Sequence, residues 1–115
     1  MKKTLRLFLL ALLFYPLVSS TLFASSKWGK RYYMKNISSL CRQDGIGDGG
    51  KFAKKYSREE WDEIKKNAQL QEKWKKICPH AAEKIDTMRK KDIKNLFDFV
   101  WKYASDGELP SCSGL

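Results

Sequence analysis

The apolar positions of the chain fall into separate runs, and most of them recur with helical spacing. Leu7 to Val18 is an apolar stretch interrupted only by Pro16. Trp28, Tyr32, Ile37 and Leu40 then approximate one face of a helix, widened by Tyr33 and Cys41, and predict a helix over 27–41. Trp61, Ile64 and Ala68 share a face. Leu70, Trp74 and Ile77 share another that is out of phase with the first, which places a break near Asn67–Gln69. Ala81, Ala82 and Ile85 face inward on a short helix over 79–88. Ile93, Leu96, Phe97, Val100, Trp101 and Ala104 make the clearest amphipathic helix, over 92–104. The pattern predicts an all-α domain of four to five helices. Its expected core is Trp28, Tyr32, Leu40, Trp61, Ile64, Trp74, Ile93, Phe97, Val100 and Trp101.

Punctuation agrees with these limits. Ser57-Arg58-Glu59-Glu60 has the form of a capping box, in which Ser57 and Glu60 satisfy each other's backbone amides. Glu59, Glu60 and Asp62 suit the positive end of that helix's dipole. Pro79 fits a first helical position. Gly107 followed by Pro110 stops the last helix. Asp44-Gly45 and Gly49-Gly50 argue against regular structure between the first and second helices.

The first run is read as an export signal. Lys2, Lys3 and Arg6 precede the apolar stretch, and Ser19, Ser20, Thr21 and Ala24 are small residues that follow it. Cleavage is expected after Ala24, with Ser20 as the alternative. That divides the chain into a signal peptide, 1–24, and one helical domain, 25–115. A retained anchor is disfavoured because the run falls short of the ~20 residues a span needs. The expected location is periplasmic or secreted. Loss of residues 1–24, which carry three positive charges and no acid, lowers the formal net charge from +10 to +7. A positive field of that size steers encounters with acidic protein or an anionic membrane surface. Nucleic acid is seldom met outside the cell and is not an expected partner.

A domain this small gains from a covalent staple, and export permits one. The chain has three cysteines, so one is left over. Cys78 and Cys112, 34 residues apart, are the expected disulfide; Cys41–Cys112 is the rival pairing. Linking 78 to 112 would stabilise by ~3–4 kcal/mol on a chain-entropy argument.

The run Gly29-Lys30-Arg31-Tyr32-Tyr33, continuing through Ser38-Ser39-Leu40-Cys41-Arg42-Gln43-Asp44-Gly45-Ile46-Gly47-Asp48-Gly49-Gly50, resembles the start of a class I cytochrome c domain. In that family a short helix leads into Cys-x-x-Cys-His and then a glycine-rich loop. Here Ser38 stands at the first cysteine position, Cys41 at the second and Arg42 at the histidine. Ser57-Arg58-Glu59-Glu60-Trp61-Asp62-Glu63-Ile64 looks like the helix after the haem loop, and 92–104 resembles the final helix that packs across the first. The resemblance implies a small cytochrome c-like helical domain, with the last helix lying on Trp28, Tyr32 and Leu40.

The attachment chemistry is degenerate. Ser38 cannot form a thioether, and the protonated guanidinium of Arg42 has no lone pair for iron. No cofactor is therefore expected. Tyr32, Tyr33, Phe52, Tyr56, Trp61 and Trp74 are expected to fill the space a porphyrin would take, and Arg42 to lie at the loop surface beside Asp44 or Asp48. The resulting expectation is a haem-free, non-enzymatic binding or accessory module for a periplasmic or membrane-associated partner, such as a respiratory one. The alternative is a periplasmic electron-transfer protein whose haem is held through Cys41 with Met88 or His80. Without haem, Met88 reads as a packing residue and His80 as a surface or helix-end residue.

Other chemistries lack their residues. The glycine loop carries Asp44 and Asp48, which repel phosphate, and has no Lys-Ser/Thr ending. Cys78, His80 and Cys112 lack the paired spacing of a zinc site. There is no Cys-x-x-Cys for thiol redox work, and Glu59, Glu60, Asp62 and Glu63 are accounted for by capping.

Overall fold

The computed structural model describes residues 24–109. Residues 1–23 of the expected signal peptide, and Cys112, lie outside these residues. The described chain is all helical, with no strand. α1 occupies 24–41, with a π-helical middle at Tyr33–Ile37 and a last turn at Ser38–Cys41. A 3₁₀ turn, Arg42–Asp44, and a loop lead to α2, Gly49–Ala53. α3 is Arg58–Lys66 and α4 is Leu70–Ile77. A 3₁₀ turn, Pro79–Ala81, opens α5, Ala82–Asp86, and α6 is Lys90–Lys102.

Local chemistry explains most of these limits. The capping box at Ser57 is present in both directions: Glu60 N–H donates to Ser57 Oγ at 3.2 Å, and Ser57 N–H donates to Glu60 Oε1 at 3.0 Å. The break between α3 and α4 falls at Asn67–Gln69, where Ala68 sits at φ +55°, a left-handed conformation rare for a residue with a Cβ. α2 was not expected, because paired glycines oppose helix. It forms because Asp48 Oδ1 accepts from Gly50 N–H at 2.7 Å and caps it, while Phe52 and Ala53 are drawn into the core.

α1 buries only part of the expected face: Ile37, with Tyr33 and Cys41 that widened the stripe, is fully buried, whereas Trp28, Tyr32 and Leu40 are not. Gly29, Tyr33, Ile37 and Cys41 point inward, four residues apart each time. A regular α-helix would rotate such a row out of line; the wider π turn at Tyr33–Ile37 keeps it in phase. Trp28, expected in the core, is 53% exposed, and Tyr32 and Leu40 are only half-buried. The expected crossing of first and last helices does occur, but through Gly29. A Cβ built there would overlap the Asn95 carbonyl and come within 2.9 Å of Phe99 Cβ. Backbone therefore meets backbone, and a Trp side chain cannot occupy that seam.

From this crossing an aromatic column runs through the core. Tyr33 lies 6.2 Å from Phe99 and 4.9 Å from Phe52, and Phe52 lies 6.5 Å from Trp74. Trp61 is also fully buried, and its indole N–H donates to Ala53 O at 2.9 Å, fixing α3 to α2. Ile64, Phe97 and Val100 are buried as expected; Phe99 joins them. Ile93 and Trp101 are half-buried instead. Trp101 lies at the surface end of α6 beneath the Arg58 guanidinium, 4.1 Å from its ring centre. Arg58 also donates to the carbonyls of Trp101 and Lys102, closing the C-terminus of α6.

The disulfide joins Cys41 to Cys78. This overturns both expected pairings with Cys112. α1 and α4 end side by side, with Cα atoms 5.1 Å apart across a sequence separation of 37. The two thiols are thereby committed to each other.

Gly29→Ala is expected to destabilise the domain by ~1–3 kcal/mol, because the added methyl meets backbone that cannot rotate away; a urea titration measures it, and an unchanged midpoint would disprove the close crossing. Replacing Cys41 and Cys78 together by alanine is expected to remove ~3–4 kcal/mol. Non-reducing peptide mapping should recover the two half-cystines in one cross-linked product.

Candidate functional site

The segment Ser38–Arg42 sits where α1 ends, and its residues Ser38, Cys41 and Arg42 each have a defined place. Ser38 is buried, and its hydroxyl donates to Gly47 O at 2.9 Å, pulling the glycine loop back over the helix. The Tyr33 hydroxyl points to the same stretch, 3.4 Å from Ile46 O and 3.5 Å from Gly47 O. Burial, and then the nearby Asp48 carboxylate, push its pKa well above the ordinary phenol value, against a smaller opposing effect of Arg42. Cys41 is fully buried and disulfide-bonded. Its carbonyl accepts from Ile46 N–H at 2.9 Å, and Gly45 turns the chain at φ +77°.

Arg42 is exposed, as expected, and its aliphatic stem lies against Gly47. A Cβ at Gly47 would come 2.7 Å from Arg42 Cγ. The expected partners of Arg42 are engaged elsewhere. Asp48 caps α2. Asp44 holds His80 in a two-point contact: Nδ1 lies 2.7 Å from Oδ1, and the His80 backbone N–H donates to Oδ2 at 3.1 Å. An ionised carboxylate only accepts, so Nδ1 carries the proton. The sequence did not reveal this pair, because 36 residues separate its members. The disulfide brings them together: Asp44 lies three residues after Cys41, and His80 two after Cys78.

The three candidate haem residues do not converge on one cavity. Cys41 Sγ is bonded to Cys78. Met88 is only 8% exposed and packs in the core. His80 is exposed and borders a cavity of about 280 Å³ lined by Leu40, Glu83, Lys84 and Thr87, and neither Cys41 nor Met88 reaches it. Of the aromatics expected to fill a porphyrin's space, Tyr33, Phe52, Trp61 and Trp74 are fully buried, whereas Tyr32 and Tyr56 are half-buried. The residues present do not fit a covalently held haem at this motif. Among the described residues no three His, Cys, Asp or Glu side chains gather as a metal site, and no helix is long and apolar enough to cross a membrane.

No known protein family, curated protein or solved structure matches the chain.

The Asp44–His80 contact has a pH signature. Partial desolvation pushes the Asp44 carboxyl up. The His80 side chain and backbone N–H bonds, with the imidazole charge, together outweigh that and hold it below the usual carboxylate range. A lowered folded-state pKa contributes stability above the unfolded value, ~3.9, that is lost as pH falls through the folded value. Wild type should therefore be more stable than Asp44→Asn near neutral pH, and the two melting curves should converge as pH drops below ~4. A constant difference from neutral pH down to strong acid would show that the ionised contact contributes nothing.

Proposed function

We propose that this chain is an exported, haem-free helical module on a cytochrome c-like frame, non-enzymatic, which docks on an acidic partner in the periplasm or outside the cell. The observation that carries the reading is the Cys41–Cys78 disulfide. It takes up the one thiol of the degenerate attachment motif, and a buried disulfide suits an oxidising compartment. The net charge of +7 left after loss of residues 1–24 supports an acidic protein partner, with an anionic membrane surface as the other candidate.

The test is the absorption spectrum and mass of the protein purified from its own exported fraction. The expected product begins between residues 19 and 27, has the mass of apoprotein with one disulfide, and shows no Soret band. A Soret band with a covalent haem mass increment would instead establish the electron-transfer reading. Binding to the partner should weaken steeply as salt is raised, since exposed charges are screened within ~8–10 Å near physiological ionic strength.

A further inference from the structure

Trp28 is the one tryptophan of the four that the fold leaves exposed. Trp61 and Trp74 are fully buried, and Trp101 lies under Arg58. Its exposure follows from the crossing. Gly29 must face α6, so its neighbour is turned outward beside the seam. From that seam a groove of about 290 Å³ opens between α1 and the start of α6. Trp28, Arg31 and Lys35 line it on one side, Arg89 and Lys91 on the other, and Asn95 lies near the seam.

Four cationic side chains face one carboxylate here, and that carboxylate, Asp92, is already paired with Arg89 at 3.0 Å. The Arg31 guanidinium lies over the Trp28 ring, 5.2 Å from its centre, so aromatic face and charge are presented together. Lys91 stands at the positive end of the α6 dipole, where a cation opposes helix stability, so its placement there is not explained by the helix itself. An indole with an arginine on a concave surface is the composition of a binding hot spot.

We infer that this groove is the docking surface for an acidic protein segment: an extended or helical stretch that sets an apolar side chain against Trp28 and carboxylates against Arg31, Lys35 and Lys91. The inference rests on the docking-module reading above and gives it a place. Charge complementarity selects an anionic partner. The concave shape and the amide of Asn95 select a segment that enters the groove over a flat lipid surface, which could touch only its rim.

The test uses the exported domain with its disulfide intact and a fluorescein-labelled, glutamate-rich peptide with a central leucine pair. Wild type is expected to bind it. Trp28→Ala, and separately Arg31→Gln with Lys35→Gln, should each weaken binding about tenfold or more with unchanged melting temperature, because these side chains are exposed. Lys51→Gln with Lys54→Gln removes the same charge from exposed positions outside the groove and should leave affinity within about twofold. Equal loss in both double variants would overturn the groove while leaving a diffuse basic module. No binding by wild type would remove the acidic-segment docking reading as well. Trp28-dependent binding to phosphatidylglycerol vesicles without binding to the peptide would overturn the proposal in favour of a membrane surface.

Discussion

The Cys41–Cys78 bond is the constraint on which the other features near the end of α1 depend. It holds the end of α1 against the end of α4, and each segment leaves that junction by a tight turn. The turns then meet, Asp44 taking both the ring and the backbone of His80. The loop after Cys41 is folded back by Ser38 and by the amide of Ile46. A domain of this size buries only a limited core. A loop closed across 37 residues removes much of the freedom its unfolded chain would regain.

The second constraint is the backbone-to-backbone contact of α1 and α6 at Gly29. It brings Tyr33 against Phe99, and from there Phe52 and Trp74 continue the column. Close packing of rings in this way leaves little empty space in the middle of the fold. The far end of α6 is closed differently. Arg58 covers Trp101 and the last carbonyls, and its own amide donates to Asp106 at 2.8 Å. One helix is thus held by unlike means, a bare glycine seam along its middle turns and a charged clamp at its C-terminus.

The positions that resemble a haem-attachment motif have structural occupations in this chain. Ser38 is a hydrogen-bond donor to the loop, Cys41 a half-cystine, and Arg42 a surface cover over Gly47. Each occupation uses the same short helix and glycine turn that the resemblance rests on. A frame of that kind can be kept by folding requirements alone. Among the features on the described surface that folding does not explain are the outward Trp28 and the cations around it; Met34 and Leu109 are exposed as well.

Much of the helical plan was legible along the chain because its signals are local. The capping box at Ser57, the phase slip near Ala68 and the stripe from Ile93 to Ala104 depend on neighbours within a turn or two, and each reappears close to its expected place. The inward face of α1 was legible only in part: Tyr33, Ile37 and Cys41 stood on or beside the expected stripe, but the exact line of that face was not legible. It turns on Gly29, a residue with no side chain to register in any hydrophobic pattern, and on a π turn that shifts the phase by a fraction of a helical turn. The disulfide was hidden for a related reason. Cysteine spacing says how large a loop would be, but only the packing of α1 beside α4 brings two Cα atoms to 5.1 Å. The sequence by itself determined an all-α chain, its breaks and its charge, since those follow from short-range periodicity and composition. The cysteine pairing, the Asp44–His80 contact and the exposure of Trp28 were decided by tertiary structure, because each depends on which backbones can approach one another.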